Sequence, residues 1–146
     1  MAVQHWCSVQ DIRNQLGGQV YEQMTADVTG DRDEYAEDVI AAATGEVRGY
    51  ILERYGAVVE GWDSVGDVPR KVRQVTRDLS ICEVVARRAN PTAPSDTSVW
   101  ERRCREARDY LKLVADGTID LDVEVVPGAP GGTRARVAGA HRKAAF

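Results

Sequence analysis

The sequence predicts an all-α protein: a small four-helix bundle with an antiparallel hairpin of the third and fourth helices, followed by a short C-terminal strand and an extended tail. Three observations predict it. Apolar residues recur at alternating spacings of three and four over three long stretches, the period of one helix face. Start and stop signals bracket those stretches. After Gly117 the period changes to two, and after Pro127 it disappears. The 146 residues suit one domain, or a small domain with a tail. The expected division is a helical domain over 1–117 and a strand with a basic tail over 118–146.

The first helix follows Ser8-Val9-Gln10-Asp11, where a serine cap precedes an acid placed at the positive end of the helix. It carries Val9, Ile12 and Leu16 and stops at Gly17-Gly18. A shorter apolar piece, Val20, Tyr21 and Met24, precedes a polar loop over residues 27–33. The second helix starts near Asp33 and runs to Tyr55, with Gly56 as its stop. Its stripe is Ala36, Ile40, Ala43, Val47 and Tyr50. Gly45 and Gly49 inside it each cost about 1 kcal/mol against alanine. They either admit another helix closely or weaken this one.

Residues 57–68 contain Gly61 and Gly66 and are expected to loop. The third helix opens at Pro69, with Val72, Val75, Leu79, Cys82, Ala86 and Ala89 on one face. Asn90-Pro91 ends it, and residues 91–96 form a loop. The fourth opens with Ser98-Val99-Trp100-Glu101, a capping-box pattern, and carries Trp100, Cys104, Ala107, Leu111 and Val114 up to Gly117. The short loop favours an antiparallel hairpin whose two stripes face each other, small Ala86 and Ala89 near bulky Trp100. Ile119, Leu121, Val123 and Val125 then alternate with acids, as in a half-exposed strand over 118–126 that lacks an obvious mate.

No apolar run reaches the roughly 20 residues needed to span a bilayer. The first ten residues show no basic segment followed by an apolar one, so no signal peptide is expected. Three cysteines without a CxxC pair argue against a disulfide framework or zinc knuckle and suit a reducing compartment. Cys82 and Cys104 are expected as small core residues of the hairpin.

Catalysis and metals find little support. His5 and His141 lie in opposite terminal segments and are expected to be exposed. Asp27, Asp31, Asp33, Glu34 and Glu37 do not meet EF-hand spacing, because Gly30 is fourth from Asp27 and the twelfth position is Asp38. No phosphate-cradling glycine motif is present. The expectation is no enzyme, no metal and no cofactor.

Charge is polarised along the chain, although the net is only −4. Residues 1–69 hold 13 acids and 4 bases, 70–126 hold 10 acids and 11 bases, and 127–146 hold 4 bases and no acid. Such a chain suits head-to-tail assembly, one copy's acidic face against the next copy's basic face. Arg73, Arg77, Arg102 and Arg105 are the candidate subunit-interface bases. Asp31, Asp33, Glu34 and Glu37 are candidates to line a lumen or to meet them.

The stretches CSVQDIRNQLGGQVYEQMT, DEYAEDVIAAATGEVRGYILERYG, VPRKVRQVTRDLSICEVVARRA and WERRCREARDYLKLVADGTIDL follow one another in an order that resembles the head-completion or head–tail adaptor proteins of tailed bacteriophages, including the Mu-like neck proteins. The resemblance covers about residues 5–122. It implies a helical subunit of a dodecameric connector ring in the virion neck, assembled in the host cytoplasm. Such a ring docks below the portal protein, extends the DNA exit channel and carries the stopper or tail-terminator protein. Genomic DNA passes through without sequence-specific binding. In such adaptors the C-terminal segment reaches the portal, which makes Val123, Val125, Arg134, Arg136, Arg142, Lys143 and Phe146 the portal-binding candidates.

Two other functions compete. A small DNA-binding protein would use the Arg-rich helical hairpin, and its binding would fall steeply with salt. An enzyme or toxin-like factor would need a site that the sequence does not display.

Overall fold

The computed structural model describes residues 5–87 and 94–121. Among these the fold is helical, with five α-helices where the sequence predicts four: α1 (Val9–Leu16), α2 (Gly18–Met24), α3 (Arg32–Glu60), α4 (Arg70–Arg87) and α5 (Pro94–Ala115). A short 3-10 turn, Val65–Asp67, leads into α4.

The cap of α1 closes reciprocally. The Ser8 hydroxyl accepts from the Asp11 N–H at 3.1 Å, and the Ser8 N–H donates to the Asp11 carboxylate at 2.9 Å. The extra helix is α2. It restarts directly after Gly17, whose φ of +90° turns the chain at little cost for glycine. Tyr21 buries its ring there, which a seven-residue piece with few apolar positions does not announce as a helix.

Asp31 caps α3 by accepting from the N–H groups of Asp33 and Glu34. The predicted stop at Gly56 is a kink instead. Tyr55 leaves helical geometry (φ −123°, ψ 23°), and the helix resumes to Glu60 because Tyr55 and Val59 continue the buried stripe. That stripe passes through Ile51, leaving Tyr50 half-buried. Gly45 and Gly49 are exposed, and among the described residues a Cβ at either would meet nothing within 4 Å, so no described element packs on them.

Helix α4 runs antiparallel to α5, which brings Lys71 over the Tyr110 ring and Cys82 opposite Cys104. Cys82 and Cys104, distant in sequence, face each other across the hairpin with their Cα atoms 6.3 Å apart, Cys104 buried and Cys82 half-buried. Helix α5 begins at Pro94, four residues before the predicted Ser98 cap, because proline suits a first helical turn. Residues 94–96 are therefore helix and not loop. Gly117, with φ of +88°, ends the helix as predicted.

Two apolar clusters hold these helices together. The larger packs Val47, Ile51, Val72, Leu79, Leu111 and Val114 between α3, α4 and α5. Trp6 meets Trp62 edge-on in it, with ring centroids 5.0 Å apart. The smaller gathers Cys7, Ile12, Tyr21, Ala36 and Ile40 with Ile81 and Val85 of α4. Helix α4 thus turns two faces inward. The predicted single stripe holds for Val72, Val75 and Leu79, but Cys82 is half-buried and Ala86 is exposed. Trp100 packs against the smaller cluster and shares a cavity with Ala86. Ala89 lies outside the described residues.

Residues 116–119 form a turn and bend and 120–121 are irregular, not the start of a strand. The Ile119 N–H donates to the Leu113 carbonyl, and Leu121 is buried with its N–H on the Tyr55 hydroxyl at 3.0 Å. Local hydrogen bonds and burial on α3 outweigh the alternating pattern. The rest of the predicted strand, through residue 126, lies outside the described residues.

Candidate functional site

The acids at the start of α3 divide into engaged and free groups. Asp31 spends its carboxylate on the helix cap. Asp33 accepts from Arg13 at 3.0 Å and from the Tyr21 hydroxyl at 3.1 Å. These bonds, Arg13 first, hold its carboxyl below the ordinary carboxylate value. Arg13 stacks over the Tyr21 ring at 4.3 Å and also reaches Glu22, so one guanidinium ties α1, α2 and α3 together. Burial, then the Asp33 contact, pushes the Tyr21 hydroxyl up to about 12. Arg32 adds an ion pair to Glu22. Glu34, Glu37 and Asp38 are exposed, and among the described residues no cation lies within ion-pair distance of them.

The arginines of α4 line a cleft of about 490 Å³. Arg70, Arg73 and Arg77 stand on one face of the helix, opposite Asp11, Gly66 and Val68. Arg73 pairs with Asp11 at 3.5 Å, and Arg77 donates twice to Asp78. The structure therefore brings the predicted Arg73 and Arg77 together and adds Arg70. Arg70 was legible as well, since spacings of three and four place 70, 73 and 77 on one face.

Arg102 and Arg105 lie elsewhere, on exposed turns of α5. Arg102 sits 3.9 Å from Glu106. Arg105 borders a second cavity of about 520 Å³ between α4 and α5, with Trp100, Cys82 and Ala86 beside Glu83, Arg108 and Asp109. Arg108 crosses to α3 and binds Glu46 at 2.8 Å, which raises its pKa further. Arg103 stacks over Trp100. Much of the basic character of the hairpin is thus spent on neighbouring acids and rings.

Sequence reasoning missed Arg54. Its guanidinium donates to the Val114 carbonyl at 2.7 Å, to the Ile119 carbonyl at 3.3 Å and to Asp120 at 2.9 Å. It also rests on Gly117, where an added Cβ would come within 3.6 Å of it. A lone arginine in a helix gives no sign of partners some 60 residues away, so only the fold exposes this role.

His5 is half-buried, against the expectation of exposure. Cys7 is buried, and that burial pushes its thiol up to about 12, far from a reactive thiolate. Among the described residues no three His, Cys, Asp or Glu side chains converge as metal ligands. No described helix is long and apolar enough to cross a membrane. His141 and the portal-binding candidates Val123, Val125, Arg134, Arg136, Arg142, Lys143 and Phe146 lie outside the described residues.

Comparison with known proteins gives one family. The family model described as Bacteriophage Mu, Gp36 matches residues 6–138, most of the chain. No curated protein and no solved structure matches.

Proposed function

The chain belongs to the bacteriophage Mu Gp36 family, and from that membership we propose that it is a structural subunit of the phage head–tail connector ring. Membership makes it a phage-related structural protein associated with the virion. The proposal goes further. The subunit closes a dodecameric ring in the neck, docks below the portal and extends the DNA exit channel. It then offers a platform to the stopper or tail-terminator protein. Assembly takes place in the host cytoplasm.

The observation that carries the proposal is the family match over nearly the whole described domain. The surface supports it. Arg73, Arg77, Arg102 and Arg108 each have a carboxylate partner, so the hairpin offers fewer free charges to phosphates than its composition suggests. That favours an assembly part over a DNA-binding hairpin, and duplex DNA is taken as cargo passing the channel. The proposal assigns no catalytic step and no cofactor. The basic segment over residues 127–146, with Val123 and Val125 before it, is assigned to the portal.

Electron-microscope images of the purified protein, alone and mixed with the portal protein of the same phage, test this reading. Closed rings that stack coaxially on the portal are expected. A protein that forms neither rings nor a portal complex would refute it.

A further inference from the structure

We propose that the arginine cleft on α4 is the docking site for the acidic start of α3 on a second copy of this chain. The proposal rests on the ring-subunit reading and names its contact. The cleft has a volume of about 490 Å³, and Arg70, Arg73 and Arg77 line one side of it. Within the cleft one carboxylate, Asp11, opposes them, and it reaches Arg73 alone at 3.5 Å. Arg77 is met by its neighbour Asp78. Arg70 is exposed, and among the described residues no carboxylate lies within ion-pair distance of it. The cleft therefore keeps an excess of positive charge. Gly66 and the half-turn before Val68 supply a wall with little side-chain bulk, which leaves room for an entering side chain.

The complementary surface is on the same chain. Glu34, Glu37 and Asp38, at i, i+3 and i+4, share one outward face of α3. Helix α1 lies between the two surfaces. Its Asp11 turns to the cleft through Arg73, and its Arg13 turns to α3 through Asp33. One copy therefore cannot bring its own surfaces together. Two copies can, head to tail, and repetition of that contact closes a ring when the rotation per subunit allows. Complementary charges of this kind steer encounter and set register. Such pairs weaken with salt over a Debye length of about 10 Å at 0.1 M.

Charge reversal tests the contact on the full-length chain. The ridge variant is Glu34→Lys with Glu37→Lys, and the cleft variant is Arg70→Glu with Arg73→Glu. Arg70→Glu alone serves where loss of the Arg73–Asp11 pair disturbs folding, as judged by circular dichroism. Light scattering against protein concentration gives the oligomer mass. Each double variant should raise the concentration for half-assembly by at least about tenfold. An equimolar mixture of the two should assemble again, because alternating copies restore attraction at every contact. The quadruple variant should assemble alone, since its charges are exchanged and still complementary.

Double variants that assemble like the unaltered chain overturn the contact and leave the ring reading in place. So does failure of both the mixture and the quadruple variant to recover. A cleft variant that assembles normally but loses affinity for duplex DNA would make the cleft a nucleic-acid surface instead. An unaltered chain that stays monomeric at all concentrations overturns the ring reading together with the contact.

Discussion

Replacing Arg54 with alanine should destabilise the domain by about 2 to 4 kcal/mol. One hydrogen bond to a charged group contributes about 1.5 to 3 kcal/mol net, and contributions that share one guanidinium do not add fully. Arg54 makes three such bonds, to Val114, Ile119 and Asp120. Its side chain is 17% exposed and that of Asp120 24%, so water recovers only part of what is lost. The carbonyl of Val114, near the end of α5, would keep only the Gly117 N–H at 3.2 Å. Urea unfolding followed by circular dichroism, at one fixed protein concentration, measures the change. At about 3 °C per kcal/mol for a chain of this size, the melting temperature should fall by roughly 6 to 12 °C. Arg54→Lys keeps the charge but not the planar fork, and should fall between. Arg102→Ala is the control, because that side chain is 66% exposed and its partner is 3.9 Å away; it should cost less than about 0.5 kcal/mol. Hydrogen exchange at the Leu121 amide adds a local readout, and its protection should drop in Arg54→Ala. An Arg54→Ala loss no larger than that of Arg102→Ala would refute the clamp.

Leu79→Ala should cost about 2 to 5 kcal/mol, because Leu79 is buried in the larger cluster, while exposed Leu113→Ala should stay within about 0.5 kcal/mol; equal effects would mean that α4 packs by another face. The Asp33 carboxyl is held below its unfolded value by Arg13 and Tyr21, so its contribution is present above the ordinary carboxylate range and is lost as pH falls through the folded value. The melting temperature of Asp33→Asn should therefore lie furthest below the unaltered chain near neutral pH and converge with it in acid, and a gap that widens on acidification would contradict the sign. Deleting residues 127–146 should leave helicity and unfolding nearly unchanged while portal binding weakens markedly; unchanged portal binding would remove the tail from the interface, and loss of the fold would assign it to the core.

Periodicity made the long elements legible. The stripes of α3 and α5 and the Ser8 cap of α1 follow from spacing and capping chemistry that act within a few residues. What spacing could not show is set by distant partners. Helix α2 is short and draws its order from Tyr21 sinking beside Ala36 and Ile40. The kink at Tyr55 replaces a stop because Val59 and Trp62 still find burial beyond it. The alternation at 119–121 resembles a strand, yet Tyr55 and Arg54 bind that backbone from another helix. The candidate site divides in the same way. Arg73 and Arg77 share a cleft because both lie on one helix face, whereas Arg102 and Arg105 belong to another surface. Asp33, chosen for its charge, also fastens Arg13 and Tyr21, partners that spacing alone does not reveal.

The Arg54 clamp has a mechanical consequence. A pull on the chain beyond residue 121 would, without it, peel α5 from its C-terminal end one turn at a time. With the clamp, the load passes from Asp120 and Leu121 into Arg54 and Tyr55, in the body of the longest helix. The attachments at Leu121, Asp120, Ile119 and Val114 stand between the load and α5, which is held against fraying from its C-terminal end. Whatever is attached downstream of residue 121 is thus anchored in the interior of the subunit, and tension on it is resisted by α3.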